Sequence, residues 1–339
     1  MAISGTDYRG TGTPADPYIP LTCDGLLYCV ARTAYENETA AATDVTVTID
    51  RDFNFTLEEE YRNGLSSPMS IGCNTITGVP NNGVLPRING LKYIVPSGAT
   101  ALTTPLLAFL ASSPRPADTT ITNVNFSNIV YNCGVKSAAG VIGPSSTTIS
   151  HTNNIQFDNC IFTALVQSED KQCCLILYNS NNSWDAKIKF NYCSIFLRSC
   201  RTSLGNYSSF YPIAGTFSNC SIQLENVPVS STSTSASAST FTFRYLTNCL
   251  LFGTIYPYST GTGKMISFNN IFKSVIALTV VDGTSGYDAR TSSCSSIAYQ
   301  DDQNILGNIP IRTGSTGVTP LSIQDIKTEN GLIDAGVIP

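Results

Sequence analysis

One short phrase recurs six times along this chain, and its spacing constrains the fold more than any other feature. It reads Val124-Asn-Phe126-Ser-Asn128-Ile129, Ile155-Gln-Phe157-Asp-Asn159-Cys160, Ile188-Lys-Phe190-Asn-Tyr192-Cys193, Thr216-Phe217-Ser-Asn219-Cys220, Tyr245-Leu-Thr-Asn248-Cys249 and Ile266-Ser-Phe268-Asn-Asn270-Ile271. The fifth copy has no Phe. The aligned Asn or Tyr falls at 128, 159, 192, 219, 248 and 270, in steps of 31, 33, 27, 29 and 22 residues. A period of this size that carries only strand signals fits a chain stacking one several-stranded unit on the next, with length differences absorbed in loops.

Side chains alternate faces along a strand, so Ile155 and Phe157 share a face, and Cys160 and Phe162 share one of opposite parity. Something between them must reset the phase. Asn159 suits that task, because Asn tolerates the left-handed backbone region and can turn the chain at a corner. Stacking then predicts an interior column of Phe126, Phe157, Phe190, Phe217 and Phe268, and a second of Ile129, Cys160, Cys193, Cys220, Cys249 and Ile271. Interchange of Cys with Ile marks a small buried hydrophobe, so reduced, buried thiols are expected there rather than disulfides or metal ligands. Tyr192 breaks the Asn column. The Ser/Thr/Ala tract 230–240 and residues 283–296 have loop composition, and a short terminal helix is expected at 323–327 as a cap.

Composition narrows the function. Only 13% of the 339 residues are charged and the formal net charge is -5, with no basic cluster to neutralise phosphates, so nucleic acid is an improbable partner. Apolar stretches such as 105–111 and 275–281 fall short of the roughly 20 residues that cross a bilayer as a helix, so no membrane partner is expected. The start, Met1-Ala2-Ile3-Ser4-Gly5-Thr6-Asp7, lacks the charged and apolar regions of a signal peptide. A chain made in the cytosol, with its 12 cysteines reduced, is the expectation. His151 is the single histidine, which excludes a His-ligand metal cluster within one chain and leaves a nucleophile triad only that residue. No catalytic, cofactor or metal site is assigned from these features.

Two sets of acids invite chemistry. Asp50 and Asp52 would share one face of a strand and could hold calcium or act as an acid pair, against the plainer role of supporting a turn. Asp158, Glu169, Asp170, Asp185 and Glu225 could line a groove and cleave polysaccharide with two carboxylates, which requires two of them within about 5–10 Å. Arg198 and Arg201, near Cys200, are the bases a lyase would need, and no acidic cluster accompanies them in the sequence. Trp184, Tyr207, Tyr211, Tyr256 and Tyr258 could stack on sugar rings or pack within loops. The sequons Asn125-Phe-Ser and Asn219-Cys-Ser fall inside the strand phrases and read as chance products of an Asn- and Ser-rich chain.

The N-terminal region carries a resemblance. Gly12-Thr-Pro-Ala-Asp16-Pro17-Tyr18 precedes a segment, 23–32, in which Leu26, Leu27 and Val30 could form an amphipathic helix. A strand at 45–49 follows, then Asp50-Arg-Asp52, Ile88-Asn-Gly90-Leu91, 106–110 and 121–126. This order resembles the opening of right-handed β-helix proteins with GLUG-type repeats, over roughly residues 10–135, although the glycines of the GLUG loop itself are missing here. It also looks like the opening of virion surface proteins of gut bacteriophages, whose β-helices are rich in Ser, Thr and Asn. Those three residues make up about three in ten here.

The repeats and the resemblance together imply an all-β chain, a right-handed parallel β-helix of about eight to nine coils at a spacing of ~4.8 Å, with a short N-terminal capping helix. Residues 1–45 would form the lead-in and cap, 46–280 the β-helix, and 281–339 the C-terminal loops and cap. The resemblance implies a non-enzymatic structural or adhesion protein of a bacteriophage particle: a head or tail fibre, or a decoration protein. Its partners would be other virion proteins and host surface glycans, and its assembly a homo-oligomer, with a trimer favoured. The alternative is a tailspike-like polysaccharide depolymerase, since function lies in residues grafted onto the fold.

Overall fold

Short runs rich in Val, Ile, Thr and Phe, with alternating buried and outward side chains, form strands through most of the described residues. The computed structural model describes residues 6–33, 44–94, 105–110, 118–133, 139–144, 154–168, 173–176, 187–201, 215–230, 239–258, 264–280, 287–300 and 317–321, with positions 328, 329, 332 and 337. Among these, a 19-stranded sheet and a 4-stranded sheet contain every strand except one antiparallel pair, Tyr8–Arg9 with Ile19–Pro20. Pairing in both larger sheets is parallel. The chain is therefore all-β in its described core, built on a parallel sheet.

Through residue 176 the repeating unit is three strands. Ala139–Pro144, Ile155–Asp158 and Ile161–Ser168 pair respectively with Cys173–Ile176, Ile188–Asn191 and Ser194–Arg201. The preceding set, Leu107–Phe109, Thr119–Thr122 and Asn125–Cys133, pairs with the first in the same way. Each strand thus meets its counterpart one repeat later, and like residues stack on like.

Two apolar columns result. The first runs Val47, Ile76, Ile121, Phe157, Phe190, Phe217, Leu246 and Ile271. The second runs Phe53, Ile88, Phe126, Phe162, Ile195, Ile222, Leu251 and Ile276. Every member is buried. The Phe157 and Phe190 rings stack at 4.9 Å and 8°, and Phe190 and Phe217 at 4.8 Å and 4°. Burying each such ring stabilises by about 1.5–3 kcal/mol, and each ring pair adds about 0.5–1.5 kcal/mol.

The single Phe column expected from the phrase is thereby corrected. Phe126 belongs to the second column, where it stacks on Phe162 at 4.9 Å, and Phe268 pairs with Phe243, three residues ahead of the Leu246 and Ile271 step. The corner column shifts with them. Asn123, Asn159, Tyr192, Asn219, Asn248 and Lys273 take φ between 47° and 59°. The N–H of each of the first five donates to the carbonyl just before the next corner, at Asp158, Asn191, Ser218, Thr247 and Phe272. Asn128 (φ 50°) marks a second corner, beside Gly90 (φ 75°) of the previous repeat, whose N–H donates to the Ser127 carbonyl.

Side-chain amides reinforce both corners. Asn159 Nδ2 donates to Asn123 Oδ1 at 2.8 Å, and Asn248 Nδ2 to Asn219 Oδ1 at 2.7 Å. Where Tyr192 interrupts this ladder, Asn219 Nδ2 donates to Asn191 Oδ1 instead. At the second corner Asn128 Nδ2 and Ser127 Oγ both donate to Asn89 Oδ1, and Asn89 Nδ2 donates to Asn54 Oδ1.

The residue after each corner turns inward, giving Val124, Cys160, Cys193, Cys220, Cys249, Ser274 and Ile297. Val124 and Ser274, not Ile129 and Ile271, flank the cysteines, because those two Ile occupy other columns. All four thiols are free and buried. Each donates to the carbonyl two residues earlier and to one from the preceding repeat: Cys220 Sγ lies 3.2 Å from Ser218 O and 3.6 Å from Phe190 O. Ser274 Oγ likewise donates to the carbonyl two residues earlier, Phe272 O at 2.8 Å, and accepts from the Cys249 N–H of the preceding repeat at 3.1 Å. A small apolar side chain with a weak donor therefore satisfies carbonyls at the bend.

The helix Cys23–Ala31 closes the N-terminal end. Thr22 caps it by accepting from the Gly25 N–H, and Leu26, Cys29 and Val30 are buried against the first repeat, where the Val30 carbonyl accepts from Gly72 and Cys73. The Gly12 to Tyr18 motif is a folded loop: Asp16 accepts from Thr11 and Gly12, and Tyr18 pairs in parallel with Val47, extending the sheet.

Parallel pairing also runs past the boundary expected at residue 280. Tyr287–Ser292, Ser295–Gln300 and Val318–Leu321 continue it, so the described part of 283–296, from 287 on, is mostly strand rather than loop. Ser293 and Ser296 take positive φ there, which serine supplies without the Asn signature. Most of the tract 230–240 and the helix expected at 323–327 lie outside the described residues.

Candidate functional site

The acids singled out from sequence do not converge among the described residues. Asp50 and Asp52 sit in the bend between Thr46–Ile49 and Phe53–Asn54, not on a strand face. Asp50 is paired with Arg51 at 2.8 Å, which holds its carboxyl below the usual carboxylate range. Asp52 accepts from the Arg87 N–H at 2.9 Å and from Arg87 Nε at 3.2 Å. Each carboxylate is committed to a separate arginine, and no group of three metal-ligating side chains occurs among the described residues.

Asp158 and Glu225 stand on different strands of different repeats. Asp158 Oδ2 accepts from Gln156 Nε2 at 2.7 Å. Glu225 forms an ion pair with Arg198 at 3.1 Å across neighbouring repeats, so the proposed acid and the proposed lyase base neutralise each other. Glu169, Asp170, Asp185, His151, Trp184, Tyr207 and Tyr211 lie outside the described residues. Cys200, Arg201, Tyr256 and Tyr258 lie on described strands, Ser194–Arg201 and Leu250–Tyr258.

A concave site appears instead at the N-terminal end, where no motif pointed. A cleft of about 410 Å³ opens between the capping helix and the segment 60–70. Leu27, Leu65 and Met69 form its apolar wall, and Asp24, Glu60 and Ser67 are among its polar residues. Tyr61 spans it and donates from its hydroxyl to Asp24 Oδ1. Burial, then the Asp24 hydrogen bond and charge, push the Tyr61 hydroxyl well above its usual range. Sequence reasoning missed this place because its residues are scattered over 24–70 and become neighbours only when the helix docks.

Tyr28 borders the cleft with its ring already occupied. Tyr8 stacks on it at 5.2 Å, and the Arg32 guanidinium sits 3.6 Å over its centre. The Tyr61 ring packs edge-on against Phe55. No described helix is long and apolar enough to cross a membrane. No family model, curated protein or solved structure matches the chain.

Proposed function

We propose that the chain is a right-handed parallel β-helix serving as a non-enzymatic structural or adhesion component of a bacteriophage particle. The observation that supports this reading most is where the shared residues are used: each repeated Phe, Ile, Asn and Cys fills a column or builds a corner. Three of the acids with a catalytic reading are paired off among the described residues, Asp50 with Arg51, Asp52 with Arg87 and Glu225 with Arg198. A stack of this kind carries its variable loops on a stiff frame, which suits attachment to other virion proteins and contact with host glycans. Homo-oligomeric assembly, a trimer in particular, belongs to the same reading.

The test is direct. Purified protein is incubated with host capsular polysaccharide and assayed for new reducing ends or unsaturated sugars, and purified particles are probed for the chain by mass spectrometry. Presence in particles without turnover supports the reading. Turnover lost on replacing one surface carboxylate overturns it in favour of a depolymerase, and absence from particles overturns the particle assignment.

A further inference from the structure

The N-terminal cleft has a chemistry of its own. Its wall is apolar, and two carboxylates, Asp24 and Glu60, sit among its lining with no lysine or arginine paired to either among the described residues. One Asp24 oxygen is taken by Tyr61, and the other has no donor among the described residues. Glu58 and Glu59 adjoin Glu60 in sequence, so the segment beside the cleft carries a run of negative charge. Two arginines border these elements: the Arg32 guanidinium is held over the Tyr28 ring, and Arg62, exposed, makes no ion pair with Asp24 or Glu60 among the described residues.

An apolar wall with acidic groups at hand suits a side chain that has a hydrocarbon stem and a cationic head. Two carboxylates on separate elements, the helix and the 3-10 turn Glu59–Tyr61, favour a compact ammonium that both can approach. A planar guanidinium would need one carboxylate presented side-on for a paired contact. A sugar ring would need an open aromatic face, and Tyr28 is covered by Tyr8 and Arg32 while Tyr61 is packed on Phe55.

We propose that this cleft receives a lysine side chain from an extended segment of a partner protein, with its stem against Leu27, Leu65 and Met69 and its ammonium between Asp24 and Glu60. The inference deepens the reading of the chain as a particle component, by placing the attachment of another virion protein at the capped end. The partner is identified by its chemistry alone: a lysine flanked by residues small enough to approach the helix and the 60–70 segment.

The experiment titrates the full chain with N-acetyl-lysine methylamide and, separately, with the norleucine analogue, following the tyrosine signals by NMR. Saturable binding of the lysine compound is expected, with the norleucine compound weaker by about tenfold, the factor that one lost charge-assisted contact of ordinary strength gives. Glu60→Gln, an exposed change that leaves the fold intact, should weaken the lysine compound several-fold, and raised salt should do the same. Tyr61→Phe releases the Asp24 Oδ1 that the hydroxyl holds and should leave binding intact or tighter. Equal affinity for norleucine, indifference to Glu60→Gln, or a neutral sugar binding in place of lysine overturns the proposal. Particle mass spectrometry separates the two readings: a chain found in virions that ignores lysine refutes the cleft alone. A chain absent from virions that binds lysine upholds the cleft and refutes the particle assignment.

Discussion

Replacing Phe190 by Ala tests whether the stacked rings hold the repeats together. Phe190 is 1% exposed, stacks face to face on Phe157 and Phe217, and meets Phe162 edge-on at 5.9 Å. Truncation removes a buried ring and leaves a cavity, which costs about 3–5 kcal/mol when the surroundings relax only partly. Parallel strands on both sides fix the neighbouring rings, so little collapse is expected and the upper half of that range applies. Repeats that contact only their neighbours transmit such damage a short way. Hydrogen exchange read by mass spectrometry should therefore show protection lost first in Ile155–Asp158 and Thr216–Ser218, with Thr46–Ile49 unchanged. Phe190→Leu should cost clearly less, since Leu246 and Ile271 fill the same column with aliphatic side chains. A loss below about 1 kcal/mol for Phe190→Ala, or exchange rising evenly along the chain, would refute the argument.

Other expectations follow from the corners and the thiols. Cys160, Cys193, Cys220 and Cys249 should resist a thiol reagent in the native protein and react on denaturation; disulfides among them, detected by mass spectrometry, would contradict the structure. The neighbouring Cys160 thiol and burial push Cys193 up to about 12 against the opposing effect of Cys220, and the Cys193 thiol and burial likewise push Cys220 up to about 12. The unfolded chain gives up those protons near pH 9 while the folded chain keeps them, so denaturant midpoints should fall as pH rises from about 9 to about 12. A Cys193→Ala, Cys220→Ala double variant should flatten that slope. Gly253 has φ 115° and an added Cβ would lie 2.0 Å from the Leu224 carbonyl oxygen, so Gly253→Ala should destabilise by about 2 kcal/mol or more in a thermal melt. Millimolar calcium should leave the melting temperature unchanged, because Asp50 and Asp52 serve different arginines.

The middle of the stack was legible in the sequence and its ends were not. At Phe157, Phe190 and Phe217 the inward position holds the same residue three times, so letters and geometry coincide. At either end the geometry persists while the letters change: Ile121-Thr-Asn123-Val124 and Ile271-Phe-Lys273-Ser274 are the structural counterparts. The inward place asks only for a buried aliphatic or aromatic side chain, and the corner asks only for a left-handed backbone, which Lys273 adopts at φ 47°. Val124-Asn-Phe126-Ser-Asn128 matched in letters because a second corner also favours Asn. The thiol hydrogen bonds were invisible for a related reason, since burial alone already explains a cysteine. The cleft left no trace in the sequence, as Asp24 and Glu60 belong to no motif and meet through the docking of a helix.

The capped N-terminal end has a wider consequence. A parallel, in-register stack with amide ladders is also the arrangement by which separate chains grow into fibrils, each exposed strand acting as a template for the next. Here the template at Thr46–Ile49 is occupied within the same molecule: Tyr18 pairs beside it, and the helix lies across the first repeat. The lead-in thus acts as a terminator of polymerisation as much as a lid on the core. A chain shortened by its first 33 residues should keep its stacked interior yet gain a growing end, and association in solution would rise with concentration and seed itself.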